Sequence, residues 1–255
     1  MDASVIVPLY VYPSLGAWDP VYDMAASYPQ IQFTAVVNVH SGPGGGALPM
    51  AEYSHAIEML NSFANMRTVG YIATTWCERN LTSVLDDVAA YSFWGEYDEA
   101  VAIDGIFVDE TPTQYSPDNV SYLQAIAKAV HESDGLKEGY IVHNPGALPD
   151  SRFFENVTSE DGSSLGPDVT IVFENTFSKW STEELELAEA TAHYNRDELA
   201  VVVHSVPELS AIEIANTLLQ LLAVGHSIWF TWTSNYTELD AHFPTFIDCL
   251  AALLR

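Results

Sequence analysis

The chain has 255 residues, 48% of them hydrophobic and 12% aromatic, enough to build one large core and incompatible with a disordered or fibrous chain. Eight Lys plus Arg stand against 35 Asp plus Glu, a formal net charge of −27; a field of that sign repels a phosphate backbone, which excludes nucleic acid and leaves a cationic or neutral polymer, or plain solubility, as its use. The longest apolar runs, 200–203 and 218–224, are far too short for a membrane span.

Short apolar or β-branched runs recur from end to end. The first, 5–11, carries Tyr10 at its end and Tyr12 just beyond, and a weak helical pattern follows. The second, 32–39, ends in Asn38 and His40 and runs into Ser41-Gly-Pro-Gly-Gly-Gly46. That stretch lacks the Lys and Ser/Thr of a phosphate loop, and no Gly-x-Gly-x-x-Gly opens a helix after the first strand. A helical pattern covers 50–64. The third run, 68–74, contains Tyr71 and leads to Trp76, with a helix expected over 81–97.

The fourth run is Asp104-Gly-Ile-Phe-Val-Asp-Glu110, an apolar strand leading straight into two acids. Burying such acids is costly unless they reach water, metal or substrate. Alternation puts Asp109 on the face of Phe107, opposite Val108 and Glu110, so the two acids are expected to do different jobs. Ser116-Pro117 then supplies a cap and a first-turn proline for a helix. The fifth run, 139–143, ends in His143 and Asn144, with another weak helical candidate behind it.

The sixth run, 169–174, closes on Glu174. Ser181-Thr182-Glu183-Glu184 fits a capping box and predicts a helix start there. The seventh, 199–204, ends in His204, and Ser210 with Glu213 forms a second capping box. The eighth, 227–232, ends in Trp232 and precedes a last helix over 239–254. Of the two cysteines, Cys77 follows the third strand and Cys249 lies in the last helix, so both are expected as free thiols.

Strand alternating with helix eight times, several strands being continuously apolar, predicts a closed parallel (β/α)8 barrel, or TIM barrel, as one domain over 1–255. A doubly wound open sheet is the rival. Chemistry in such a barrel sits at the carboxyl ends of the strands. Tyr10, Tyr12, Asn38, His40, Tyr71, Trp76, His143, Asn144, His204 and Trp232 would therefore share one rim with Asp109, Glu110 and Glu174. Aromatic rings stack on sugars and the polar groups bond hydroxyls, so the rim predicts a carbohydrate site.

Strands four and six lie two apart around the ring, which lets Asp109 and Glu174 face each other across the mouth. Two carboxyls flanking a glycosidic bond can hydrolyse it, with retention at a separation of about 5–5.5 Å and inversion at about 6.5–9.5 Å. His40, His143 and His204 could join those acids around a metal, but no short ligand spacing such as His-x-x-x-His occurs, and no metal or other cofactor is expected. His55, His131, His193 and His242 fall in expected helices, as surface or packing residues.

Four Asn-x-Ser/Thr acceptors, at Asn80, Asn119, Asn156 and Asn235, favour a secreted product. Residues 1–30 show no basic n-region or cleavage site, so an intracellular product stays open.

Val7-Pro-Leu-Tyr-Val-Tyr-Pro-Ser14, Gly16-Ala-Trp-Asp-Pro20, Asn38 with Ser41-Gly-Pro-Gly44, Gly70-Tyr71 and Asp104-Gly-Ile-Phe-Val-Asp-Glu110 occur in an order that resembles the spherulin-4-like family. The resemblance is strong over roughly the first 115 residues and weaker beyond. It implies a (β/α)8 barrel with endo-acting cleavage of α-1,4-linked N-acetylgalactosamine in galactosaminogalactan, a fungal biofilm exopolysaccharide. It also implies Asp109 as nucleophile, Glu174 as general acid/base, and Glu110 as a residue that tunes charge or holds a sugar hydroxyl. The expected partner is thus a polysaccharide bound by a monomer. A non-catalytic carbohydrate-binding or spore-coat barrel is the alternative.

Overall fold

The computed structural model describes residues 3–155, 158, 162 and 164–254. Eight strands follow one another: β1 Ser4–Leu9, β2 Gln32–Val37, β3 Met66–Ala73, β4 Gly105–Asp109, β5 Tyr140–Asn144, β6 Val169–Thr176, β7 Leu199–His204 and β8 Ser227–Phe230. Each pairs in parallel with the next, and β1 returns to β8 through the register Ser4↔Ser227, closing the barrel. An open doubly wound sheet is thereby ruled out.

The strands read as apolar runs because both of their faces are covered. Ile6, Val36, Val69, Ile106, Ile141, Ile171, Val202 and Ile228 are all buried. The helices that cover them are α1 Asp19–Ser27, α2 Ala51–Asn61, α3 Leu81–Tyr97, α4 Pro117–His131, α5 Phe177–Thr191, α6 Ala211–Val224 and α7 Phe243–Leu253. Between β5 and β6 the described residues form only a short 3-10 turn, Ser151–Phe154, and no α-helix, which corrects the weak helical pattern expected there.

Helix starts separate the good cap signals from the false one. Ser116 caps α4 by accepting from the Asn119 N–H, with Pro117 in the first turn. Ser210 and Glu213 form the reciprocal capping box at α6. The box at Ser181 is not used. Thr176, the last residue of β6, caps α5 from the Lys179 N–H, and Ser181 lies one turn inside with its hydroxyl donating to the Phe177 carbonyl. β8 also stops two residues short of the expected end. The Asp240 carboxylate accepts both the Thr231 hydroxyl and the Trp232 N–H, drawing the chain out of the ladder.

The amino-terminal end of the barrel is knitted by aspartates. Asp104 accepts the Thr68 N–H at 2.6 Å while its own N–H donates to the Thr68 carbonyl. Asp168 repeats the arrangement with Ile141. Asp104 is thus accounted for by the structure of the barrel floor. Beside it, Gly105 lies so close to β5 that a Cβ would stand 1.9 Å from the Tyr140 carbonyl oxygen.

Candidate active site

The register of β4 on β5 sets Asp109 directly beside Asn144 at the carboxyl end of the barrel. The Asn144 amide nitrogen donates to Asp109 Oδ1 at 2.8 Å and to Glu174 Oε2 at 2.7 Å. Tyr71, from β3, donates its hydroxyl to Asp109 Oδ2 at 2.6 Å. Both Asp109 oxygens are therefore held. Because one nitrogen makes both carboxylate contacts, those two oxygens are at most about 5.5 Å apart, the two bond lengths laid end to end.

Glu174 reaches this position through an irregularity in its strand. The pairing of β6 with β7 shifts register between Ile171 and Phe173, which sets Glu174 opposite Val202, and the Glu174 N–H donates to the Gly146 carbonyl at 2.9 Å. Gly146 sits at φ +70°, in the region where a side chain is strained. Bulges of this kind re-aim side chains beside functional sites.

Backbone strain collects at the same end of the barrel. Among the described residues, the non-glycine positions with positive φ are Ser41, Thr75, Trp76, Cys77, Glu110 and Ser205, and all follow barrel strands. Each costs about 1–2 kcal/mol. Glu110, at φ 54°, thus leaves the strand alternation altogether. Its carbonyl accepts the Thr74 hydroxyl and the Trp76 N–H, and its half-buried side chain adds charge near Tyr71.

Three tyrosines line the mouth. The Tyr10 ring stands edge-on to Tyr71 at 5.4 Å and to Tyr236 at 5.9 Å, and Tyr236 is edge-on to His204 at 6.5 Å. The Tyr236 hydroxyl is buried and faces Glu174 without completing a hydrogen bond of ordinary geometry. Burial, and then the two carboxylates, hold all three phenols protonated well above their usual range.

Burial pushes the Asp109 carboxyl up to about 6. The hydrogen bonds from Tyr71, the Glu110 N–H and Asn144 pull it down, and the Glu174 charge pushes it up further. Desolvation wins because it outweighs those bonds.

The expected rim is thus assembled only in part. Asp109, Glu174, Asn144, Tyr71, Tyr10 and His204 come together, with Glu110 close by. His143 does not belong to this group. It alternates away from Asn144, is buried beside Leu123 of α4 and Phe153, and burial lowers it to about 4. Tyr12 turns outward to Tyr53 and Glu52 of α2. Asn38 closes its own loop, accepting the Ser41 N–H at 2.6 Å, and His40 is exposed there. Trp76 is exposed at 57% on the lip, while Trp232 stacks on His242 at 4.9 Å.

Tyr236 is the residue that the sequence leaves unnoticed, since 235–237 register only as a glycosylation acceptor. Its one signal is an aromatic ring soon after β8. Among the described residues, no three His, Cys, Asp or Glu converge to hold a metal ion, and Cys77 and Cys249 are unpaired.

The family model described as spherulation-specific family 4 matches residues 4–250. The crystal structure of Aspergillus clavatus Sph3 in complex with GalNAc is 36% identical, with a TM-score of 0.90, over 98% of each chain. A xylose isomerase-like TIM barrel/4-hydroxyphenylpyruvate dioxygenase fusion protein, 12% identical with a TM-score of 0.53 over 100% of this chain and 42% of its own, shares the fold alone. No curated protein matches the chain. With the barrel, the mouth and the match from residue 4 to residue 250 in agreement, the chain belongs to spherulation-specific family 4.

Proposed function

We propose that the chain is an endo-acting, retaining glycoside hydrolase that cleaves α-1,4-linked N-acetylgalactosamine or galactosamine in a galactosaminogalactan-type polysaccharide. The observation that carries this reading is the single Asn144 amide shared by Asp109 and Glu174. Carboxyl groups that close leave no room for a water between the acid and the sugar, and this favours direct attack. The relative solved with GalNAc supports an amino sugar as the unit bound.

On this reading Asp109, ionised and fixed at both oxygens, attacks the anomeric carbon. Glu174 gives its proton to the leaving glycosidic oxygen as the C–O bond breaks. Water then enters, Glu174 takes its proton back, and the Asp109 ester is hydrolysed. Tyr10 and the exposed Trp76 offer rings to sugar faces, and Glu110 holds a hydroxyl or tunes the local charge.

The test is release of reducing ends from α-1,4-linked N-acetylgalactosamine oligomers. Wild type is expected to release them, and Asp109→Asn and Glu174→Gln, folded by circular dichroism, are expected to lose at least about a thousandfold. Full activity in both variants would remove the assignment. Binding without product from wild type would favour the carbohydrate-binding or coat-protein alternative.

Secretion is part of the same proposal. Asn80 and Asn235 are exposed and Asn119 is half-buried, whereas Asn156 lies outside the described residues. Expression through a eukaryotic secretory route is expected to give a product that loses mass on N-glycan removal; an unchanged mass would count against it.

A further inference from the structure

The two acids of the mouth are attended alike, with one difference. Each has a tyrosine, and both tyrosines lean edge-on against the Tyr10 ring, which fixes their spacing. Tyr71 has closed its hydrogen bond to Asp109. Tyr236 faces Glu174 with its hydroxyl buried and still open.

A buried hydroxyl that faces a carboxylate without reaching ordinary hydrogen-bond geometry is uncommon and calls for a reason. The loop that carries it is not slack. The Ser205 N–H donates to the Thr233 carbonyl, and the Thr233 hydroxyl donates to the Asn235 carbonyl. Asn235 Oδ1 accepts both the N–H and the hydroxyl of Thr237, and Asp240 takes the Trp232 N–H. The ring is thus anchored on both sides in sequence. Hydrogen bonds in catalytic sites are often long before substrate binds and tighten in the complex.

We infer that Tyr236 is a positioning residue for Glu174: with sugar in the mouth its hydroxyl donates to the Glu174 carboxyl group and holds it at the leaving glycosidic oxygen. The inference rests on the glycosidase reading above. Tyr236 keeps its own proton throughout. The proton that moves is the one on Glu174, which passes to the leaving oxygen as the anomeric C–O bond breaks and Asp109 bonds to the anomeric carbon. The burial that keeps the phenol protonated makes it a donor at every working pH.

The test compares two substrates on Tyr236→Phe, which keeps the ring against Tyr10 and His204. One is an α-1,4-linked N-acetylgalactosamine oligomer, whose leaving oxygen needs a proton. The other is a 4-nitrophenyl glycoside of a short oligomer of the same sugar, whose leaving group departs without one. Loss of the hydroxyl is expected to lower kcat/KM on the oligomer roughly ten- to a hundredfold, the weight of a hydrogen bond to the charge that develops on Glu174 as its proton leaves. On the aryl glycoside the loss is expected to stay within about threefold, with KM for the oligomer unchanged.

Equal losses on both substrates would mean that the residue only packs, and would overturn the inference, as would unchanged kinetics on both. Tyr236→Leu, which removes the ring as well, is expected to show the same substrate-dependent loss plus a common one; a common loss alone would count against the hydroxyl. Failure of the wild type to release any product would instead bring down the glycosidase reading itself.

Discussion

At the scale of single residues, the site turns on how two carboxyl groups are kept near each other in a half-buried mouth. Asp109 shows the cost. Its carboxyl is raised to about 6 from an ordinary value near 4, mainly by burial. The folded protein therefore holds the Asp109 proton more tightly than the unfolded chain, so this residue's contribution to stability falls as pH rises from about 4 to about 6. Asp109→Asn is expected to raise stability at pH 7 by about 1–2 kcal/mol, discounted for partial exposure, with the gain gone at pH 4. Urea denaturation at the two pH values checks it. On the proposed glycosidase reading the same shift sets the kinetics: with Asp109 as nucleophile the carboxylate must be ionised, so kcat/KM is expected to climb with pH through about 6. A fall through that range would exchange the roles of Asp109 and Glu174. Asn144→Ala, which strips both acids of their shared donor, is expected to lower kcat at least about a hundredfold in a folded protein.

The two acids of the mouth, Asp109 and Glu174, are legible in the sequence because an apolar strand that ends in a carboxylate states its own exception. Their neighbours are less so. His143 and Asn144 are adjacent polar residues, and only one of two adjacent strand residues can face the mouth; the sequence gives no means of choosing, and Asn144 is the one that does. Tyr236 lies beyond β8, where no periodicity reports which way a side chain points. Alternation carried on from β4 sets Glu110 on the face opposite Asp109, but its left-handed backbone makes that argument inapplicable at that residue.

At the scale of elements, caps and close approaches decide where strands and helices begin. Ser210→Ala removes half of a working capping box and is expected to cost about 1 kcal/mol. Ser181→Ala, within a helix that Thr176 already caps, is expected to change stability by no more than about 0.5 kcal/mol. Paired melting curves separate the two, and equal losses would place the start of α5 at Ser181 after all. Ser-x-x-Glu misleads there because nothing in the pattern says whether an earlier residue has capped the helix. β4 and β7 are fixed to the residue by composition, since each is a short β-branched run with polar flanks. Gly105→Ala forces the backbones of β4 and β5 apart and is expected to cost about 3 kcal/mol, the upper end for overpacking.

At the scale of the whole molecule, the barrel is legible from eight apolar runs and the helices between them, although the connection from β5 to β6 carries no α-helix among its described residues. The net charge of −27 acts on the molecule as a unit. Self-repulsion of that size destabilises the compact state, and salt relieves it. Raising ionic strength from roughly 0.01 M to 0.15 M shortens the screening length from about 30 Å to about 8 Å, and Tm is expected to rise. A Tm that falls would mean that the described ion pairs, such as Arg79 with Asp87, outweigh the repulsion.

The proximity of Asp109 and Glu174 is tested most directly by the configuration of the first product. Proton NMR during cleavage of an α-1,4-linked N-acetylgalactosamine oligomer, read before mutarotation, is predicted to show the α-anomer appearing first. First appearance of the β-anomer would show inversion, and with it a water between the sugar and a base, contradicting direct attack by Asp109.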